Sequence, residues 1–110
     1  MGVVLAVVFG AASPDKAARI GDELATDRLP PVGTPYVYGW ELVALCRTGH
    51  HKAFFDGLER VFGAMLDAGA TTFWENFDLA WMENSCKITE FPKEGERDIH
   101  GDFGKECYKG

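Results

Sequence analysis

The chain is organised around ten residues that close a long amphipathic pattern: Gly69-Ala70-Thr71-Thr72-Phe73-Trp74-Glu75-Asn76-Phe77-Asp78. This stretch sets one carboxylate, that of Glu75, among three aromatic residues, and Asp78 follows three residues later. The simpler interpretation is an aromatic corner that packs a helix end while its acids point to water, because apolar clusters are usually core. The alternative is a binding site, since a carboxylate flanked by rings is how many enzymes hold a sugar.

The composition limits the chain to one modest core. Its 110 residues are 46% hydrophobic and 13% aromatic, which suits at most one domain. The 17 acidic residues against 11 basic ones give a net charge of −6, which argues against nucleic acid as a partner because that would require a basic stripe. Cys46, Cys86 and Cys107 show neither a CxxC motif nor metal-ligand spacing, so we expect no metal and no cofactor. A bridge between Cys86 and Cys107 stays open.

The first nine residues are apolar, and no Lys or Arg precedes them. They are too few to span a bilayer, and a secretory signal would begin with a basic segment. We therefore expect no membrane contact and a cytoplasmic rather than a secreted protein. The run predicts the tail of a buried helix that begins upstream, although its valines would equally suit a short buried strand.

Local signals define the second helix. Ser13 is suited to cap it, Pro14 to occupy its first position and Asp15 to favour the positive end of the helix dipole. Apolar residues on one face and charged residues on the other predict an amphipathic surface helix. This helix must end before the prolines at positions 30 and 31, because proline disfavours helix in the residue before it.

Two further helices follow a connection rich in proline and glycine. The first begins near Tyr36 and has Glu41 as its only charge before Arg47, so we expect it to be buried on all sides. Arg47 and Gly49 are typical of its end. The next helix, over residues 51–67, is amphipathic, and the apolar residues on its predicted buried face are Phe54, Leu58, Val61, Phe62 and Met65.

The order is therefore buried, amphipathic, buried, amphipathic, which is typical of two concentric layers of helices laid down as hairpins. The connections within a hairpin are short, whereas those that lead to the next hairpin, residues 27–35 and the stretch after Gly69, are long. Because antiparallel helices alternate in direction, both long connections lie at the same end of the bundle. That end is expected to carry a site, and it holds both Tyr36 and Glu75.

Part of this sequence resembles the late catalytic segment of the alpha-L-rhamnosidases. The likeness rests on the run Met65-Leu66-Asp67-Ala68-Gly69-Ala70-Thr71-Thr72-Phe73-Trp74-Glu75, preceded by Thr34-Pro35-Tyr36-Val37 and an apolar helix. It covers roughly residues 1–78. These enzymes are inverting glycoside hydrolases whose catalytic domain is an (α/α)6 toroid, a ring of six helical hairpins.

The resemblance implies an all-α fold in which the chain is a fragment of such a toroid. Residues 1–68 would form helical hairpins, residues 69–82 a segment on the catalytic face, and residues 83–110 a long charged loop. With helices of roughly 11 to 12 residues, twelve helices and their connections need about three times this length. We therefore expect a partial six-hairpin glycosidase domain.

The resemblance also assigns a role to Glu75, which would be the general base in the hydrolysis of a terminal alpha-L-rhamnoside. The residue types themselves make Phe73, Trp74 and Phe77 candidates for an apolar wall against the ring or methyl group of the deoxysugar. Candidates for hydrogen bonds to its hydroxyl groups are Tyr36 and Tyr38, and Asn76 or Asp78. The general acid of this family lies far upstream, so the remainder of the catalytic domain is the expected partner. Two alternatives stay open: another six-hairpin glycosidase with a different sugar, and a noncatalytic helical interaction module in which these aromatic residues form a partner surface.

None of the histidines is assigned to the site. His50 and His51 are expected to be ordinary surface or capping residues. His100 alternates with Asp98 and Asp102 in the charged tail, and carboxylate oxygens at this spacing suit a cation, but a solvated loop is the simpler interpretation.

Overall fold

The computed structural model describes residues 1–26 and 34–97, and this part of the chain is mostly helical, with no strand. Its elements follow in this order: α1 (Gly2–Val8), α2 (Pro14–Ala25), α3 (Pro35–Arg47), α4 (His51–Leu58), a π-helical turn (Glu59–Gly63), α5 (Ala64–Asp67) and a 3-10 helix (Leu79–Met82). The all-α class is confirmed for the described residues. The ring of six hairpins is a finer statement and stays a prediction.

The described residues form two compact units. The first comprises residues 1–26 and 36–58, and the second comprises residues 34–35 and 59–97. The buried apolar side chains of the first unit are Val4, Val7, Val8, Leu24, Leu42, Ala44 and Leu45. Those of the second unit are Met65, Ala68, Ala70, Trp74, Phe77 and Cys86.

The apolar start of the chain is a helix rather than a strand, and α2 begins where the sequence predicts. The Ser13 side chain accepts a hydrogen bond from the Lys16 backbone N–H at 3.4 Å, and Pro14 opens the first turn. At the other end, α2 stops at Ala25, and the Thr26 hydroxyl donates to a backbone carbonyl oxygen of the last turn at 2.9 Å. The predicted end before the two prolines is confirmed.

The third helix, α3, has the predicted ends but not the predicted burial. Gly49 has a φ of 82°, a conformation that glycine adopts without strain where a helix stops. The prediction that α3 is buried on all sides is wrong, because Tyr36 is 73% exposed and Val43 is 38% exposed. Leu42, Ala44 and Leu45 face the core. On the opposite side of α3, Tyr36, Val43 and Cys46 are exposed, whereas Trp40 is partly buried.

The second helix packs closely against the turn that follows α3. A Cβ atom on Gly21 would lie 2.3 Å from Thr48 Oγ1, so a glycine is required at this approach. Beside it, Asp22 Oδ1 lies 2.9 Å from His50 Nε2, and His50 Nδ1 lies 3.0 Å from Thr48 Oγ1. His50 therefore joins two elements, which is more than the surface or capping role expected for it, whereas His51 is exposed.

The helix predicted over residues 51–67 is present, but it is not uniformly α-helical. Its middle, Glu59–Gly63, is a π-helical turn, in which each backbone hydrogen bond spans one residue more than in an α-helix. The residues before and after this turn therefore do not share one face of a 3.6-residue period. Met65 is fully buried, whereas Leu58 is 39% exposed, so the prediction of its burial was wrong. Gly57 takes the inward position and meets side chains early in α3, as expected for antiparallel helices.

The segment after the 3-10 helix is irregular, as predicted for a loop, but its described part is attached to the second unit. The Ile88 N–H donates to the Ala68 carbonyl oxygen at 2.8 Å. Ser85 and Arg97 form an isolated parallel bridge, which joins the two ends of the loop between them. Six residues with a predicted role lie outside the described residues: Pro30, Pro31, Asp98, His100, Asp102 and Cys107.

Candidate functional site

Gly69 ends α5 and begins the segment that carries the candidate site. It has a φ of 97°, and its N–H donates to the Leu66 carbonyl oxygen at 2.9 Å. The Ala70 N–H donates to the Met65 carbonyl oxygen at 3.0 Å. This pair of bonds is the Schellman motif, which satisfies the last carbonyl groups of a helix and turns the chain away from it. The predicted closing role of Gly69 is confirmed.

The side chains beyond Gly69 differ sharply in exposure. Trp74 is 4% exposed and Phe77 is 6% exposed, and both belong to the buried cluster of the second unit. Phe73 is 54% exposed, and Glu75 is exposed as well. The segment therefore presents the Phe73 ring and the Glu75 side chain to solvent from positions two residues apart. The sequence predicts three candidate rings without saying which of them faces outward.

Trp74 anchors this segment to the core. Its ring meets that of Phe77 at a centroid distance of 5.7 Å and an angle of 64°, and Phe77 meets Trp81 at 6.2 Å and 86°. Edge-to-face pairs of this kind stabilise a core beyond the area they bury. Trp74 is predicted to contact a substrate, but only a small part of this residue is exposed and available for such a contact. Phe73 is the aromatic residue of the segment with an accessible face.

The Phe73 ring rests on Phe62. Their centroids lie 4.9 Å apart and their planes make an angle of 73°. Phe62 belongs to the π-helical turn, and it also packs against the buried cluster that contains Trp74. The sequence places Phe62 on the apolar face of a helix but gives no sign of its contact with the candidate site, because that contact joins residues eleven positions apart.

The carboxylate of Glu75 is exposed and has no hydrogen-bond or ion-pair partner among the described residues. An ionised carboxylate is an acceptor only, with two oxygen atoms available. Here the residue that carries them is exposed to solvent. A general base needs such access, because it must approach the water from which it takes a proton to within hydrogen-bonding distance.

Asp78 has a structural role that the sequence analysis does not predict. Its Oδ1 atom accepts a hydrogen bond from the Ala80 N–H at 2.9 Å, and it thereby caps the 3-10 helix Leu79–Met82. An aspartate that bonds to the backbone two residues on is a common turn device. The second carboxylate oxygen remains the atom with which Asp78 would contact a hydroxyl group.

Tyr36 lies in the first unit, at the start of α3. Its ring is 73% exposed and meets Trp40 edge-on, with the centroids 6.1 Å apart. Phe9, which is 71% exposed, lies on the same indole at 5.9 Å. The first unit thus carries its own exposed aromatic group. Tyr38 lies in the first unit as well, whereas the other predicted site residues belong to the second unit.

Neither a metal centre nor a membrane segment is found in the described part of the chain. Residues 1–26 and 34–97 contain no group of three or more His, Cys, Asp or Glu side chains placed to hold a metal ion. Within the same ranges no helix has the length and apolar character needed to cross a bilayer.

No protein-family model matches this sequence, and neither a curated protein nor a solved structure matches it. The likeness to the alpha-L-rhamnosidases therefore rests on the motif residues themselves.

Proposed function

We propose that this chain is part of an inverting glycoside hydrolase that resembles the alpha-L-rhamnosidases, with Glu75 as the general base. The observation that carries the proposal is the exposure of Phe73 and Glu75 on a segment anchored from beneath by Trp74 and Phe77. An anchored segment that presents a carboxylate and, two residues before it, an accessible ring is a suitable arrangement for a sugar and the water that attacks it.

The proposed reaction requires two carboxyl groups. One protonates the leaving oxygen, and the other removes a proton from water on the opposite face of the sugar, at a separation of about 6.5 to 9.5 Å. Glu75 would take the second part, because it is exposed and its carboxylate has no hydrogen-bond or ion-pair partner among the described residues. The acid would come from the remainder of the catalytic domain.

Phe73 would supply the apolar contact for a deoxysugar. A rhamnose ring has a methyl group where the corresponding hexose has a hydroxymethyl group. Moving a methyl group from water onto an aromatic face is favourable in free energy. Trp74 would act from below by holding the segment in place. Asp78 would hold the far end of the segment through its cap on the 3-10 helix.

The test is the replacement Glu75→Gln in the enzyme that carries these residues. The amide keeps the size of the side chain but cannot accept the proton of the attacking water. The hydrolysis of an aryl α-L-rhamnoside should therefore fall by about 10² to 10⁴-fold, the usual contribution of a positioned base, while the affinity for rhamnose changes little.

The matched control is Glu83→Gln. Glu83 is another exposed glutamate of the second unit, and its side chain has no hydrogen bond or ion pair among the described residues, so its loss should leave turnover unchanged. Near-normal hydrolysis by the Glu75→Gln enzyme would remove Glu75 from the role of base. A product of the wild-type enzyme with retained anomeric configuration would contradict an inverting mechanism.

The exposed aromatic group of the first unit favours a second candidate, a helical interaction module. Phe9 and Tyr36 present their rings to solvent around Trp40, and exposed aromatic patches often mark interfaces. Around Glu75, in contrast, Phe73 is the exposed ring, because Trp74 is buried. A panel of aryl glycosides separates the candidates: hydrolysis of a different sugar indicates another six-hairpin glycosidase, and hydrolysis of none favours the module.

A further inference from the structure

Phe62 stands between the core of the second unit and the exposed ring of the candidate site. It packs against the cluster of Met65, Ala68 and Trp74, and its ring meets that of Phe73 at 4.9 Å. Phe62 itself is only partly exposed, whereas Phe73 is 54% exposed. The orientation of the outer ring therefore depends on the inner one.

We propose that Phe62 is a positioning residue that fixes the orientation of the exposed Phe73 ring, two residues before Glu75, and that it thereby makes the site prefer a 6-deoxy sugar over the same sugar with a 6-hydroxyl group. This inference rests on the proposed function. It adds a residue to the site and states what that residue does to specificity.

The physical basis is the freedom of an exposed ring. A half-exposed phenylalanine can change its rotamer on a timescale of picoseconds to nanoseconds unless a neighbour restrains it. An edge-to-face contact with a ring that is itself packed in a core supplies that restraint, because aromatic pairs prefer this geometry. Only a restrained ring can occupy one side of a ligand continuously and exclude water there.

The π-helical turn explains why Phe62 is in a position to do this. The turn shifts the side chains that follow Leu58 out of the register of α4, and Phe62 is the fourth of its five residues. Single π turns within α-helices occur frequently at functional sites. Here the turn carries the residue on which the exposed ring of the candidate site rests.

Selectivity follows from the fixed ring. A hydroxyl group held against an aromatic face loses hydrogen bonds to water without gaining a partner, whereas a methyl group in the same position is tolerated. A closed hydrophobic pocket discriminates against an added hydroxyl group by about 10²-fold. Because Phe73 is only one half-exposed wall, we expect a preference of about tenfold or less.

The experiment compares L-rhamnose and L-mannose as competitive inhibitors of aryl α-L-rhamnoside hydrolysis in the enzyme that carries these residues. The two sugars differ only in the oxygen on carbon 6. Four variants are compared: Phe62→Leu and Phe62→Met, which remove the ring, Phe62→Tyr, which keeps it, and Phe54→Leu. The last is the matched control, because Phe54 and Phe55 form another edge-to-face pair, at 5.0 Å and 83°, in the first unit.

The expected result is a wild-type preference for rhamnose that falls to near unity in both ring-free variants. Phe62→Tyr and Phe54→Leu should keep the preference. The aromatic proton shifts of Phe73 should change in the ring-free variants even without sugar, because the ring current of the Phe62 ring is lost. Circular dichroism shows whether each variant remains helical, and two ring-free variants provide the measurement if one of them does not fold.

The outcomes separate this inference from the proposed function. If the wild-type enzyme hydrolyses aryl α-L-rhamnosides but binds L-mannose equally well, or if the folded ring-free variants keep a wild-type preference for rhamnose, the inference about Phe62 is wrong while the proposed function stands. If the wild-type enzyme hydrolyses no aryl α-L-rhamnoside, the proposed function is wrong and the inference fails with it.

Discussion

Replacing Gly21 with alanine tests the closest approach between helices in the first unit. In an exposed helix interior, alanine is about 1 kcal/mol more favourable than glycine. At this position, however, the new Cβ would lie 2.3 Å from Thr48 Oγ1 and 2.6 Å from Thr48 Cβ. Rotating the threonine side chain cannot move its Cβ, and it would break the bonds of the hydroxyl group to the Ala44 carbonyl oxygen at 2.9 Å and to His50 at 3.0 Å. The backbone must therefore shift.

Overpacking of this kind costs about 1 to 3 kcal/mol, which offsets the gain in helix propensity. The matched control is Gly39→Ala, because Gly39 lies in the interior of α3 and a Cβ there would have no atom within 4 Å. The free energy of unfolding from urea titration should differ between the two variants by about 1 to 3 kcal/mol, the full overpacking term. Equal stabilities would show that α2 does not approach Thr48 as closely as described.

Three further outcomes are expected. His50→Ala should lower the free energy of unfolding by about 1 kcal/mol, the contribution of an ordinary hydrogen bond, whereas His51→Ala, at an exposed position, should change it little; equal effects in a urea titration would contradict the link to Asp22. Asp78→Ala should cost about 1 kcal/mol through the lost cap, and Asp78→Asn should restore most of it; an alanine variant as stable as the wild type would show that the cap contributes nothing. Glu75→Gln should leave the melting temperature unchanged, since the carboxylate has no partner among the described residues, and a clear shift would point to a structural role.

Signals confined to a few adjacent residues predict the ends of elements well. Ser13 and Pro14 define the start of α2 because capping depends on groups within one turn, and the confirmed contact of the Ser13 side chain spans three residues. Gly69 ends α5 for the same reason, since a φ of 97° favours glycine wherever it is needed. The residues that determine these helix ends are therefore adjacent in the sequence and can be recognised from it.

Burial around longer elements is less predictable. A strict 3.6-residue period places Leu58 and Met65 on one face, but the π-helical turn between them separates their environments, leaving one 39% exposed and the other fully buried. The positions of Phe73 and Trp74 also depend on tertiary packing. The buried cluster includes the Trp74 ring, and the adjacent Phe73 ring is left exposed. His50 and Asp22 are 28 positions apart, so no local pattern predicts their contact.

The bridge between Ser85 and Arg97 closes a loop, so a change in the length of this loop need not move the residues at its two ends. The chain enters and leaves the loop at neighbouring points, while Ile88 is tied to the Ala68 carbonyl oxygen at the end of α5. Residues inserted near Phe91, which is 96% exposed, would lengthen only the outer part of this loop, and the entropic cost of a longer loop rises slowly with its length. The outer part of this loop can therefore grow at a small entropic cost while its two ends stay joined by the bridge.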